Sequence, residues 1–247
     1  MLLKTVSVVI PVYNSEKTLE ELYGRLVKVL PEMCRDFEII MVDDGSADRS
    51  FERMQQLRKG DSRVKLIRLA GNFGQQNALL CGFRYATGDF LVTLDDDLQH
   101  PPEEIPKLYA KLSQGYEAVF GIPSANAKRH SRYRNLGSKL VLALLNRITA
   151  KPKTVKVSSF RALTREVYRQ INNEQRSFIY LAPLIFQATP KIANAWVDHE
   201  PRKHGRSNYT LGKLLKLTLK LIVFYTKIGA CLPLRQSPQY RIDKVIL

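Results

Sequence analysis

Cysteine is scarce in this 247-residue chain: Cys34, Cys81 and Cys231, set far apart. That spacing offers neither a disulfide framework nor a metal-ligand cluster, so a reducing cytoplasm is the expected compartment. No apolar run reaches about 18 uninterrupted residues, which argues against a membrane-spanning helix. The first residues, Met1 to Val6, run straight into a strand pattern and leave no room for a signal peptide. Internal repeats, low-complexity tracts and linker-like stretches are missing as well. There is no helix-turn-helix, zinc-ligand or RNA-binding aromatic signature, so nucleic acid is not an expected partner. What is present is an ordinary globular composition, 45% hydrophobic, in a length that suits one domain with ample core.

Acidic residues are the other shortage, and it is local. Residues 1–100 hold 13 Lys and Arg against 15 Asp and Glu, whereas residues 101–247 hold 26 against 8. The net charge of +16 therefore resides in the second part of the chain. A basic face of that size suits an anionic membrane surface or phosphorylated substrates.

Strand-like runs alternate with helical spacing through the first 125 residues. Strands are predicted over 6–12, 37–42, 64–69, 90–94 and 118–120, and helices over 16–30, 49–58, 75–86 and 103–113. Such alternation predicts an α/β fold, a mostly parallel central sheet with helices on both faces. Ligands of such sheets bind beyond the carboxyl ends of the strands. Later the pattern weakens to a long basic helix over 128–147, a strand over 155–163, a helix over 176–188, a strand over 192–199 and a helix over 211–226. Residues 1–210 are read as the main domain. Residues 211–247 are read as a basic amphipathic helix, with Lys213, Lys216 and Lys220 among leucines, and an irregular polar tail from 229. That helix suits either a membrane surface, its lysines toward anionic headgroups, or simple packing on the domain.

Polar motifs fall at the predicted strand ends: Asn14 to Glu16, Asp43-Asp44-Gly45-Ser46, Asn72 to Gly74, and Asp95-Asp96-Asp97-Leu98-Gln99. An acidic triplet alone also fits a solvated turn. Packed where a strand leaves a sheet, its charges repel, and a divalent cation is the simplest compensation. Mg²⁺ or Mn²⁺ takes one or two carboxylates and leaves coordination positions for substrate phosphates. Asp43 or Asp44 can accept from a base N–H. Pro11 to Asn14 forms a rigid turn that lets the Tyr13 ring approach a base or ribose, a core position for Tyr13 being the alternative. Ser46 and Asp48 suit a turn and a helix cap. Ala78, Gly82 and Ala86 form a small-residue stripe for close helix–sheet approach.

Pro11-Val12-Tyr13-Asn14-Ser15-Glu16, Val42-Asp43-Asp44-Gly45-Ser46 and Asp95-Asp96-Asp97-Leu98-Gln99-His100-Pro101-Pro102-Glu103 together resemble family 2 glycosyltransferases of the GT-A fold. Within that family the likeness is to the polyprenyl-phosphate glycosyltransferases, such as dolichol-phosphate mannose synthase and its undecaprenyl-phosphate relatives. The resemblance implies a UDP- or GDP-linked sugar donor held by Pro11, Tyr13, Glu16, Asp43, Asp44, Asp95 and Asp96. It implies Mg²⁺ or Mn²⁺ on Asp95, Asp97 and Gln99, with Asp96 at a variable middle position where relatives often carry Ala. Arg134 and Ser138 match a pair that grips lipid phosphate, and Arg161, in Ser158-Ser159-Phe160-Arg161, matches a Phe-Arg element. Arg202 and Ser207 match a loop that closes over the donor. Asp97, Arg134 and Arg202 are expected to carry the chemistry.

Three positions depart from the family pattern: Pro123 replaces an arginine, Lys156-Val157-Ser158 an Asp-x-Gly, and Asn208 a lysine. A hydroxyl acceptor needs a carboxylate base. Beyond Glu117 only Glu166, Glu174, Asp198, Glu200 and Asp243 remain, none in a base-like motif. A phosphate monoester is already anionic and needs cations instead. The expected reaction is therefore metal-dependent sugar transfer to a polyprenyl phosphate, with inversion at the sugar carbon as the resemblance implies, by a protein peripheral at the cytoplasmic face of the membrane. The alternative is a family 2 enzyme acting on a saccharide or glycolipid hydroxyl in cell-wall or surface polysaccharide synthesis.

Overall fold

The computed structural model of the chain describes residues 4–124, 154–176, 178–201, 220, 223–225 and 239–247. The helix expected over 128–147 and most of that over 211–226 lie outside those residues. The elements run β1 (Thr5–Val12), α1 (Leu19–Met33), β2 (Asp36–Asp43), α2 (Ser50–Gly60), β3 (Val64–Leu69), α3 (Gln75–Tyr85) and β4 (Phe90–Thr93). A 3-10 turn, Pro102–Glu104, leads into α4 (Ile105–Leu112) and then β5 (Ala118–Pro123). After these come β6 (Arg161–Thr164), α5 (Arg165–Asn172), α6 (Leu181–Ala188), β7 (Ile192–Val197) and β8 (Ile242–Ile246).

Among the described residues the strands form one sheet in the order β7-β5-β6-β4-β1-β2-β3-β8. β1 pairs in parallel with β2 and β4, β2 with β3, and β5 with β7. Only β6 and β8 run against the rest. The expected mostly parallel sheet is what forms, and its strands are apolar on both sides because helices cover both faces. Val9, Ile40, Val42, Ile67 and Leu91 pack with α3, α5 and α6. Val8, Ile10, Ile39, Met41, Leu66 and Val92 face the other way, toward α1, α2 and α4. The stripe on α3 serves as expected: a Cβ on Gly82 would lie 2.3 Å from Val9 Cγ1, so the helix lies close on β1.

Several boundaries differ from the predicted ones. α1 starts at Leu19 because Ser15 to Thr18 form a turn, the Thr18 N–H and hydroxyl both donating to the Ser15 carbonyl at 3.1 Å. β6 is shorter than the predicted strand over 155–163, α6 begins at Leu181 rather than 176, and α5 was not predicted. The tail from 229, expected to be irregular, instead contains β8, paired with β3 from Leu66↔Ile246 to Leu69↔Ile242. Asp243, Lys244 and Val245 are exposed, so β8 carries no alternating buried face and is held by backbone pairing. Arg84 anchors its approach, donating to Tyr240 Oη (2.6 Å) and Gln239 Oε1 (2.8 Å). Among the described residues no helix is long and apolar enough to cross a membrane.

Candidate active site on the carboxyl rim of the sheet

β4, β1, β2 and β3 lie side by side and parallel, so the loops that follow them share one rim. Asn14 turns the chain after β1 at φ 54, a left-handed conformation that asparagine tolerates. Its N–H donates to Ser46 Oγ (3.0 Å) and its Oδ1 accepts from the Ala47 N–H (2.8 Å), joining the β1 and β2 loops. Gly45, at φ 73, brings the β2 loop against the β3 loop, where a Cβ would lie 2.6 Å from the Gly71 carbonyl carbon. Only glycine fits both the space and the backbone.

Asp43 and Asp44 are both buried. Asp44 accepts the Phe73 N–H on Oδ1 (2.7 Å) and the Gly74 N–H on Oδ2 (2.8 Å), and burial pushes its carboxyl up to about 6. Asp43 Oδ1 accepts the Ser46 N–H (3.0 Å), while Oδ2 lies 3.4 Å from Arg68 Nε without a hydrogen-bond donor. Asp44 is thus turned onto the protein's own loops through both oxygens, whereas Asp43 is so held through Oδ1 alone. Pro11 is buried inside β1 opposite Val42, so the turn it was expected to begin starts at Tyr13. Glu16 Oε2 accepts the Arg49 N–H (3.1 Å) and its own N–H donates to Asp48 Oδ2 (3.2 Å), bracing the start of α2. Tyr13 is 46% exposed, which rules out the core alternative and leaves its ring open for stacking.

The acidic triplet divides into three situations. Asp95 accepts Gln75 Nε2 on Oδ1 (2.6 Å) and Ser159 Oγ on Oδ2 (2.5 Å). Asp96 Oδ2 accepts the Tyr13 N–H (3.0 Å) and the Ser15 hydroxyl, clamping the β1 loop. Burial pushes the Asp96 carboxyl up to about 7, with the charges of Asp95 and Asp97 adding to the shift. Asp97 Oδ1 accepts the Gln99 N–H (3.1 Å) around Leu98, a buried leucine held at φ 60. A bulky residue in that conformation is strained, and such strain gathers at functional sites.

Beyond β7 the chain returns to this turn. The Glu200 N–H donates to the Gln99 carbonyl (2.9 Å), the Asp198 N–H to Glu104 Oε2 (2.9 Å), and Arg25 Nη2 to Glu200 Oε1 (2.9 Å). His199 is thereby set edge-on to His100, with ring centroids 5.0 Å apart. Burial holds His100 down at about 4, with His199 adding to the shift, and burial also lowers His199. Neither histidine had a role in the sequence reading, because nothing in the spacing joins positions 100 and 199.

Arg161, matched to the Phe-Arg element and so expected among the ligand-binding residues, is 3% exposed and packs over the Phe120 ring (5.8 Å). Its Nε donates to the Ser159 carbonyl (3.2 Å), Nη1 has no partner, and burial lowers the guanidinium to about 10. Arg134, Ser138, Arg202 and Ser207 lie outside the described residues. Asp95, Asp97 and Gln99 offer hard oxygen donors, the kind Mg²⁺ and Mn²⁺ prefer. Among the described residues no three Asp, Glu, His or Cys side chains converge into a cage. The residues fit a cation that takes one or two carboxylates and completes its coordination on a substrate.

A mostly parallel sheet covered on both faces, with an acidic turn where β4 meets β1, is the architecture of GT-A glycosyltransferases. Residues 7–171 match the model of glycosyl transferase family 2, and the chain belongs to that family: it is a glycosyltransferase. It is 38% identical over 225 residues, 90% of this chain and 68% of the relative, to the undecaprenyl-phosphate 4-deoxy-4-formamido-L-arabinose transferase of Edwardsiella ictaluri. Glucosyl-3-phosphoglycerate synthase from Mycobacterium tuberculosis, solved with Mn²⁺, UDP and phosphoglyceric acid, superimposes with TM-score 0.62 at 21% identity, over 89% of this chain and 76% of that one. S. aureus TarS superimposes with TM-score 0.56 at 16% identity, over 92% and 68%. At those identities the two structures speak for the fold alone.

Proposed function

We propose that this enzyme transfers a sugar from a nucleotide-diphosphate donor to a polyprenyl phosphate, with inversion, as a peripheral protein at the cytoplasmic face of the membrane. The observation that carries the acceptor assignment is the pairing of its carboxylates. A hydroxyl acceptor needs a free base, yet six of the eight acids after residue 100 are ion-paired. Glu103 and Glu200 pair with Arg25, Glu104 and Asp198 with Lys107, Glu117 with Lys191 and Glu174 with Arg176. That leaves Glu166 at the start of α5 and Asp243 on the edge strand β8. A phosphate acceptor is already ionised and calls on the basic half of the chain. The similarity to an undecaprenyl-phosphate transferase supports the same reading.

In this reading the exposed Tyr13 ring stacks on the base, and the three linked loops fix where the ring stands. Asp95 and Asp97, with Gln99, would hold Mg²⁺ or Mn²⁺. When bound, such a cation offsets the negative charge that gathers on a departing diphosphate. On the family motifs, Arg202 and Ser207 are assigned to that diphosphate, and Arg134 and Ser138 to the acceptor phosphate. Arginine suits both tasks because its planar fork meets two phosphate oxygens at once.

The test is transfer of labelled sugar from a panel of UDP- and GDP-sugars to undecaprenyl phosphate, with and without Mn²⁺. Label should enter the lipid fraction only with Mn²⁺ or Mg²⁺ present, and Arg134→Ala should lose it while donor hydrolysis persists. Label found only on a saccharide hydroxyl would overturn the acceptor assignment.

A further inference from the structure

Asp95 sits in a seat built from two distant parts of the chain. Gln75, the first residue of α3, reaches one carboxylate oxygen and Ser159, just ahead of β6, reaches the other. Neither donor is loose. The Ser159 carbonyl accepts both the Thr93 hydroxyl (2.5 Å) and Arg161 Nε (3.2 Å), and Thr93 and Arg161 are register partners across β4 and β6. A serine in an irregular stretch is thus fixed by the strand that leads into the carboxylate it serves. Gln75 is fixed from the other side, since the loop before it is held through the Phe73 and Gly74 N–H groups on Asp44. Asn77 Nδ2 also donates to the Phe73 carbonyl (2.8 Å).

A carboxylate on a turn swings about two side-chain bonds. One donor on each oxygen, each from a rigid element, defines the plane of the group. A neutral amide and a neutral hydroxyl do this without discharging it, and each oxygen has two lone pairs, so accepting one bond leaves room for another partner. Groups that orient ligands in this way typically change metal affinity by about 10–100-fold when removed.

We propose that Gln75 and Ser159 are positioning residues for the transfer reaction, holding Asp95 in the orientation in which it meets the cation and diphosphate of the donor, with Arg161 acting through Ser159. The proposal rests on the reading of Asp95 as a donor-side cation ligand. It also gives the buried Arg161 a place that does not require contact with substrate.

The experiment measures Mn²⁺ affinity in the presence of UDP, by calorimetry or by the Mn²⁺ spin signal, on the full chain and its variants, each with its melting temperature. Asp95→Asn should lose Mn²⁺-dependent UDP binding. Gln75→Leu and Ser159→Ala should each weaken Mn²⁺ about tenfold or more. Ser159→Thr, which keeps the hydroxyl, should stay close to the wild type. Wild-type Mn²⁺ affinity in Gln75→Leu and Ser159→Ala, while Asp95→Asn loses it, overturns the seat and leaves the donor reading standing. Wild-type affinity in one of them removes that residue from the proposal. Unchanged affinity in Asp95→Asn overturns the donor reading itself. A Ser159→Thr variant as weak as Ser159→Ala would make Ser159 a packing residue and remove it likewise.

Discussion

Asp43-Asp44 and Asp95-Asp96-Asp97 stand on one rim, at the ends of β2 and β4, either side of β1. The first pair is buried, and three of its four oxygens take backbone N–H groups, from Ser46, Phe73 and Gly74, while Asp43 Oδ2 takes none. The second group is only half-buried, and its members divide between a side-chain seat, a loop clamp and a strained turn. Identical chemistry thus takes its hydrogen bonds from backbone N–H groups alone at one strand end and from a mixture of side-chain and backbone donors at the other. The difference comes from burial and from which donors the neighbouring loops bring. Acidic motifs at strand ends should accordingly be ranked by what their oxygens already hold.

The comparison breaks most visibly at Asp97. Asp97→Ala should lower transfer by at least about 100-fold with little change in melting temperature, because the cation that would offset charge on the departing diphosphate loses a ligand. A comparable loss of stability would place Asp97 with the structural pair. Next in size is Asp44→Ala, expected to cost about 1–3 kcal/mol in urea unfolding at pH 4, because two buried N–H groups lose their acceptor. Burial raises the folded-state value of Asp44 from 3.8 to about 6, so the folded protein holds this proton more tightly than the unfolded chain. The advantage of wild type over Asp44→Ala is therefore full below about pH 4 and shrinks as pH rises toward about 6. An advantage that grows over that window would reverse the assignment. The smallest effect sharpens the boundary between the two groups. Asp96→Ala should raise the donor KM about tenfold, the loss of roughly one clamp bond to the β1 loop, with kcat less affected. Equal damage from Asp96→Ala and Asp97→Ala would erase the division within the triplet.

Much of the sheet was legible in the sequence, and the reason is burial on two faces. β1, β2 and β4 are apolar runs because both sides of each strand are covered, and the polar motifs mark their ends. β8 was not legible, since three of its five residues are exposed and its place depends on pairing with β3. α5 was missed because only Val167, Tyr168 and Ile171 form its buried stripe, among arginines and a glutamate. The carboxylates of the site were found by position, but their division was not. It depends on left-handed residues at 14, 45 and 98 that swing the loops, and on Gln75 and Ser159 reaching Asp95 across 20 and 64 positions. Asp96 illustrates the gap: a position described as variable holds the β1 loop through the Tyr13 N–H and Ser15 hydroxyl.

β8 has a consequence for how the chain is made. Leu66 and Ile67 wait for Ile246 and Val245 to complete their edge of the sheet. At roughly 5–20 residues per second on the ribosome, the outer edge of β3 stays open for roughly ten to forty seconds after it is synthesised. An open edge invites pairing with other chains, and inserted charges are the usual guard. β3 carries two, Lys65 and Arg68, each already matched to an acid on β2, Glu38 and Asp43. On that principle the same cations that settle β3 against β2 are expected to discourage pairing at the open edge until β8 arrives.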